Sequence, residues 1–321
     1  MKNYNPSVGY LKALGILLMV LGHSGNTLHI NHFIYMFHMP LFFIASGYCV
    51  KEKYLSIPRQ YIYNKVKGIY WPYVKWSLLF LLLHNVCFNL HLYSDQYGWK
   101  EYVSHLYAPS EFLSLATSII FKMQGHEQLL GGYWFLNALF FGSLIIWPVI
   151  RYVKQPLCGG AILIVICTVL NKTCWQIPFI NISSQAFSAA LLIYIGYSLA
   201  KYRVKTFNYW QIALSLSITL IGSFVWNMAM DQNSYSNKRF IPYIITAVLA
   251  SWSFYSLFDK MKSSHGICAK ALDFIGKNTL TILTWHFLAF KLVSLLIIGV
   301  YGLPIERLAE FPVITEYSQQ G

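Results

Sequence analysis

Charge is what this sequence lacks. Only 11% of its 321 residues are charged, and 11 acidic residues face 24 basic ones. An ordinary soluble domain carries about 25% charged residues, because a water-exposed surface needs them. A soluble fold is therefore excluded. The six cysteines, Cys49, Cys87, Cys158, Cys167, Cys174 and Cys268, form no CxxC pair and mostly lie inside apolar runs. That pattern reads as packing thiols rather than a metal site or a disulfide framework. No internal repeat, low-complexity tract or linker breaks the chain, so residues 1–321 read as one domain. A cleavable signal sequence is absent too, since Lys12 and Gly15 interrupt the first apolar stretch and no small-residue cleavage site follows it.

Apolar residues are abundant, at 56%, and aromatics reach 17%, gathered at the ends of apolar runs where membrane–water interfaces hold such rings. Nine runs are about the length a bilayer requires, near 10–29, 33–50, 69–91, 133–150, 157–171, 184–200, 209–229, 240–258 and 279–300. The expected fold is an all-α bundle of about nine transmembrane helices. The net charge of +13 does not imply nucleic acid, because the cations fall in short loops rather than on one face. Lys51, Lys53, Arg59, Lys65 and Lys67 share one loop. Arg151 and Lys154, then Lys201, Arg203 and Lys205, then Lys260, Lys262, Lys270 and Lys277 occupy alternate later loops. Lys100, Lys122, Lys172, Lys238, Arg239 and Arg307 are all that the opposite loops and the tail hold. By the positive-inside rule the N-terminus is cytoplasmic, and the tail with Glu306, Glu310 and Glu316 is exterior. The exterior segment 92–132 contains SEFLSLATSIIFKM (110–123), an apolar stretch too short to span and suited to an interfacial helix.

In the first run Lys12 and His23 are eleven residues apart. On a helix that is about 16 Å of rise and about 1,100° of rotation, roughly 20° from whole turns, so the two share a face. Ionisable groups at depth are functional hypotheses; the plainer reading is a snorkelling lysine and a histidine bonded to a neighbouring helix. His38 precedes Pro40, where a kink could turn it toward a cavity. A helix that starts near Met39, or a packed core histidine, explains it equally. Lys65 and Lys67 lead into an aromatic–proline helix start, within reach of a phosphate at the membrane surface, though cytoplasmic loops are basic in any case. Trp134 and Asn137 in YWFLNALFF, and His286 in GKNTLTILTWHFLAFK with Lys291 beyond it, are polar groups in apolar context that also suit helix–helix hydrogen bonds.

In this order, YLKALGILLMVLGHS (10–24), FHMPLFFIASGY (37–48), KVKGIYWPY (65–73), YWFLNALFF (133–141) and IGKNTLTILTWH (275–286) resemble the membrane acyltransferase family three. The likeness is strongest to its fucose 4-O-acetylase-like branch. The resemblance implies O-acetylation: transfer of an acyl group, usually acetyl from acetyl-CoA, onto a sugar hydroxyl of a bacterial surface polysaccharide or its lipid-linked precursor. It implies an enzyme of the bacterial inner membrane that uses acyl-CoA as co-substrate and no metal. By position, Lys12 matches the CoA-binding basic residue and His23 the catalytic histidine. Lys65 and Lys67 match the paired-arginine motif loosely, being two apart rather than three. His38 matches the histidine of the acetylase branch. Relatives usually have ten spans, so a further one is expected after Gln320.

The residues give the likeness a physical sense. The pantetheine arm of CoA is about as long as the rise from Lys12 to His23, so phosphates could stay with cytoplasmic lysines while the thioester reaches the histidine. His23 could then act as general base on the acceptor hydroxyl, with Trp134, Asn137 and His286 as candidate donors to a tetrahedral oxyanion. Direct transfer and an acyl-histidine intermediate both fit. The rival reading is a transporter or flippase for a sugar or glycolipid. It predicts an inverted repeat or broken helices in matching halves, and the sequence displays neither.

Overall fold

A computed structural model describes residues 5–25, 28–99, 102–172, 176–177, 179–226, 240–263 and 266–316. Helix dominates, and one two-residue antiparallel pair, Gln176–Ile177 with Ile182–Ser183, is the strand content among these residues. Among the described residues, three helices are long and apolar enough to cross a membrane: Gln128–Tyr152, Phe240–Met261 and Thr279–Tyr301. Pro6–Gly22, Pro156–Asn171 and Tyr209–Val225 are shorter apolar helices.

The first apolar run, expected as one helix over 10–29, behaves differently. Helix α1 (Pro6–Gly22) starts one residue after Asn5, whose side chain accepts the Ser7 N–H at 3.0 Å, with Pro6 at the first helical position. It stops at Gly22 because His23-Ser24-Gly25 is a turn, with Gly25 at φ 83°. The Tyr35 hydroxyl donates to the Gly22 carbonyl at 2.9 Å, satisfying an end carbonyl and fixing α2 (Leu28–Tyr35) against α1. The second run is also two helices: α2, then α3 (His38–Tyr48). Pro40 therefore lies in the first turn of α3, where its missing N–H costs nothing, rather than at a mid-helix kink. This is the alternative in which the helix starts near Met39.

After the one-turn α4 (Glu52–Leu55), α5 (Pro58–Lys65) runs into a π-helical stretch, Val66–Tyr70, and then α6 (Trp71–Asn89). Helix α7 (Pro109–Lys122) occupies the expected interfacial segment, with Leu113 and Phe121 on its exposed side. The remaining helices are α8 (Trp134–Tyr152), α9 (Pro156–Lys172), α10 (Ser184–Lys201), α11 (Tyr209–Trp226), α12 (Phe240–Met261), α13 (Ile267–Lys277) and α14 (Thr279–Tyr301). Helix α3 is central, packing on α1, α10 and α12, while α10 also packs on α8 and α9. The α3–α10 crossing is a backbone contact. A Cβ on Gly47 would fall 1.9 Å from the Ile193 oxygen, and one on Gly196 would fall 2.0 Å from the Ile44 oxygen. Close approach through small residues replaces hydrophobic driving force where lipid is the solvent.

Among the cysteines, Cys87 and Cys167 are buried packing thiols, whereas Cys49, Cys158 and Cys268 are exposed free thiols. Cys174, Lys100, Lys238 and Arg239 lie outside the described residues.

Candidate active site

A cavity of about 640 Å³ opens among α1, α3, α5, α8 and α14, within the range of small-molecule sites. Its polar end is built by Lys12, Lys51, Tyr54, Tyr61, Asn64 and Lys65. Its apolar end is built by Ile16 and Met19 of α1, Met39 and Phe42 of α3, Phe135 and Leu136 of α8, and Leu283 of α14. Lys12, Ile16 and Met19 recur at helical spacing on one face of α1, and His23 continues that series by one more turn. Gly68 lies in the π-helical stretch with open space where a side chain would be, so the irregular backbone itself forms part of the wall. The Lys65 ammonium lies 5.5 Å from the Tyr61 ring, and Tyr61 is anchored by donating to the Ser143 carbonyl at 2.8 Å. Burial pulls Lys65 down to about 8, with a smaller opposing influence from the Cys49 thiol. Lys67 is exposed and does not line the cavity.

The cavity wall ends one turn or less from three histidines. Met19 precedes His23 by one turn, Met39 follows His38 directly, and Leu283 precedes His286 by one turn. His23 caps the C-terminal end of α1 rather than sitting within a helix. Its ring lies 5.8 Å from that of His286 and 5.1 Å from Phe287, centroid to centroid. His38, the first residue of α3, is close enough to His23 for a charge on either to be felt by the other. The His38 Nδ1 donates to the Ile34 carbonyl at 3.0 Å, and its ring packs 5.2 Å from that of Tyr35. The His286 Nδ1 donates to the Leu283 carbonyl at 2.9 Å, and its buried Nε2 has no partner.

Aromatic residues roof this cluster. Phe287 touches Phe311, at 4.6 Å between centroids, and Phe311 touches Trp99 at 4.9 Å. The Lys291 ammonium, buried in α14, donates to the Glu310 carbonyl and lies 5.9 Å from the Phe311 ring. Gln128 ties the roof together: its Oε1 accepts the Trp99 N–H at 3.0 Å, and its Nε2 donates to the Leu92 carbonyl at 3.0 Å.

Trp134 and Asn137 are not on the cavity wall, although their neighbours Phe135 and Leu136 are. Asn137 directs its amide N–H groups to the carbonyls of Met123 and Asn181, both at 3.3 Å. Thus Lys12 and Lys65 meet at one end, and His23, His38 and His286 at the other. Sequence reasoning missed Ser46, Tyr54, Tyr61 and Asn64. Ser46 was reachable, since Met39, Phe42 and Ser46 share a face of α3; the others depend on how α4 and α5 fold back, which leaves no local signal.

No curated protein and no solved structure matches this chain. The sequence does match a family model described as an acyltransferase domain over residues 5–315, nearly its whole length, and the protein is a member of the membrane acyltransferase family three.

Proposed function

We propose that this membrane acyltransferase moves an acetyl group from acetyl-CoA to a sugar hydroxyl of a surface polysaccharide or a lipid-linked precursor, as in the fucose 4-O-acetylase-like branch. The observation that carries the reading is the single cavity with lysines at one end and histidines just beyond the other. The phosphates of CoA bind at Lys12 and Lys65, with Lys67 adding charge at the rim, as paired point charges suit a phosphate. The pantetheine arm lies along Ile16 and Met19, a path about 16 Å long at 1.5 Å per residue from Lys12 to His23. The thioester then stands beside His23, which removes the proton of the acceptor hydroxyl. The new C–O bond forms, the C–S bond breaks, and the departing thiolate recovers the proton from His23. The sugar binds among His38, His286 and the nearby aromatics, and Trp134 of the same family motif is proposed to contribute to acceptor binding.

The chain acts as one domain with about nine spans in the bacterial cytoplasmic membrane, its N-terminus and basic loops cytoplasmic. That orientation gives cytosolic acetyl-CoA access to Lys12. The test is His23→Ala in purified, reconstituted protein with acetyl-CoA and a panel of methyl hexosides as acceptors. Transfer is lost while insertion and folding persist. A His23→Ala protein that acetylates at the parental rate overturns the catalytic assignment.

A further inference from the structure

A histidine that takes a proton works best when its second ring nitrogen is held by an acceptor, which fixes the tautomer and stabilises the cation formed in the reaction. A carboxylate usually serves. None of the hydrogen bonds and ion pairs among the described residues gives the His23 ring a carboxylate. The titratable groups that bear on it are His38 from α3 and His286 from α14.

These two histidines are not equivalent. The partner of His286 Nδ1 is a backbone carbonyl, which only accepts, so Nδ1 carries the proton in the neutral ring. Nε2 is then a lone pair, and it is buried without a partner. A buried acceptor left unpaired is unfavourable, so it marks a place that a donor occupies in some state of the protein. Surrounding groups narrow the donor's identity. Phe287 lies at 3.8 Å and Phe290 at 6.0 Å from the His286 ring, both incapable of donating. Gly132 also borders the ring without a side chain: a Cβ there would stand 4.0 Å from His286 Cε1 and 2.9 Å from Leu283 Cδ1. The polar ring alongside is that of His23, tilted by 30° at 5.8 Å, where two ring nitrogens turned toward each other stand near hydrogen-bond range.

We propose that His286 is a positioning residue for His23: the His286 Nε2 lone pair accepts the His23 N–H, in the place where other enzymes put a carboxylate. The inference rests on the reading of His23 as the proton acceptor and adds to it. His23 thereby presents its other nitrogen, as a lone pair, to the acceptor hydroxyl. When it takes that proton, the charge is stabilised by a neutral imidazole whose own tautomer is locked by the Leu283 carbonyl. A neutral partner keeps net charge out of an apolar region where a second ion would be costly.

The experiment uses full-length protein in nanodiscs, with ¹⁵N-histidine labelling and His23→Gln to assign the His23 signals. His286→Leu removes the acceptor at similar volume, and His286→Gln keeps one. In the parent, the His23 ring nitrogens report one dominant tautomer. In His286→Leu they report a mixture, kcat with methyl hexosides falls about 10–100-fold, the range known for removing the outer hydrogen-bond partner of a metal-bound histidine, and the KM for acetyl-CoA stays constant. His286→Gln restores the single tautomer and most of kcat. A merely structural role would leave the tautomer balance unmoved, and unchanged His23 signals in His286→Leu, with His23→Ala inactive, overturn this inference alone. Full turnover by His23→Ala removes the catalytic reading and this one with it.

Discussion

Lys12 of α1 and Lys65 at the end of α5 line one cavity, although 53 positions separate them and α2, α3 and α4 intervene in the chain. Neither lysine makes an ion pair with a carboxylate among the described residues, so both ammonium groups are available to a ligand. A charge-assisted hydrogen bond to a phosphate contributes about 1.5–3 kcal/mol, which corresponds to roughly 10–150-fold in affinity. Lys12→Ala is expected to weaken CoA binding by about that factor, and adding Lys65→Ala to weaken it further. Titration calorimetry on reconstituted protein checks both. Equal affinity in the double variant and the parent would reduce these lysines to determinants of topology.

If CoA phosphate binds at Lys65 as proposed, donor binding is expected to be sensitive to alkali. Burial holds its ammonium at about 8, so it is charged below that pH and neutral above it. A cation that binds phosphate is present at pH 7 and lost as pH rises through about 8. The KM for acetyl-CoA is therefore expected to rise between pH 7 and 9. Lys65→Arg, always protonated in this range, should flatten the profile. A KM independent of pH in the parent would contradict the placement of CoA phosphate at Lys65.

Packing at the α3–α10 crossing sets a stability prediction. A methyl group on Gly47 would meet the Ile193 carbonyl at 1.9 Å, and that oxygen is backbone, so the helices themselves must part. Gly47→Ala and Gly196→Ala are each expected to destabilise by about 1–3 kcal/mol, the range for overpacking. Gly299 of α14 has open space around it, so Gly299→Ala should be neutral or gain slightly from better helix propensity. Melting temperatures in detergent separate these cases, and a tolerated Gly47→Ala would mean that the crossing is looser than described.

Much of this arrangement is legible along the chain, because the information is periodic. The shared face of Lys12 and His23 follows from helical spacing alone, and Ile16 and Met19 line the cavity where that face predicts. Nine apolar runs announce helices, yet two of the boundaries move. The turn at His23-Ser24-Gly25 ends α1 early, and the break at Met36–Phe37 divides the second run. Hydropathy averages over such turns, whereas Ser24-Gly25 and Pro40 carry the signals that would have placed them. Pairings across the fold are illegible for a different reason. Asn137 looks like a free donor in YWFLNALFF, and only the approach of Met123 and Asn181 shows that its N–H groups are taken.

His84 and Glu127 are the clearest pairing of that kind, and they yield the last prediction. His84 stands alone in an apolar run and Glu127 alone in a loop, 43 positions away, so nothing local joins them. In the fold both are buried, with His84 Nδ1 at 3.1 Å from Glu127 Oε1 and 3.2 Å from Oε2. The other ring nitrogen, Nε2, faces the His105 carbonyl at 3.0 Å, and the ring stacks on Tyr107 at 3.4 Å. Both nitrogens thus face acceptors, and the carboxylate of Glu127 is buried against one of them. Removing one partner leaves the buried polar atoms of the other unsatisfied and is expected to destabilise by about 1–3 kcal/mol. His84→Leu should lower the melting temperature sharply and loosen the segment 92–133, which exposes it to protease. The double variant His84→Leu, Glu127→Leu should recover a large part of the loss, because replacing both partners by apolar residues removes the unsatisfied polar group. Equal melting temperatures for the single and double variants would show that stacking on Tyr107, rather than the hydrogen bond to Glu127, holds the segment in place.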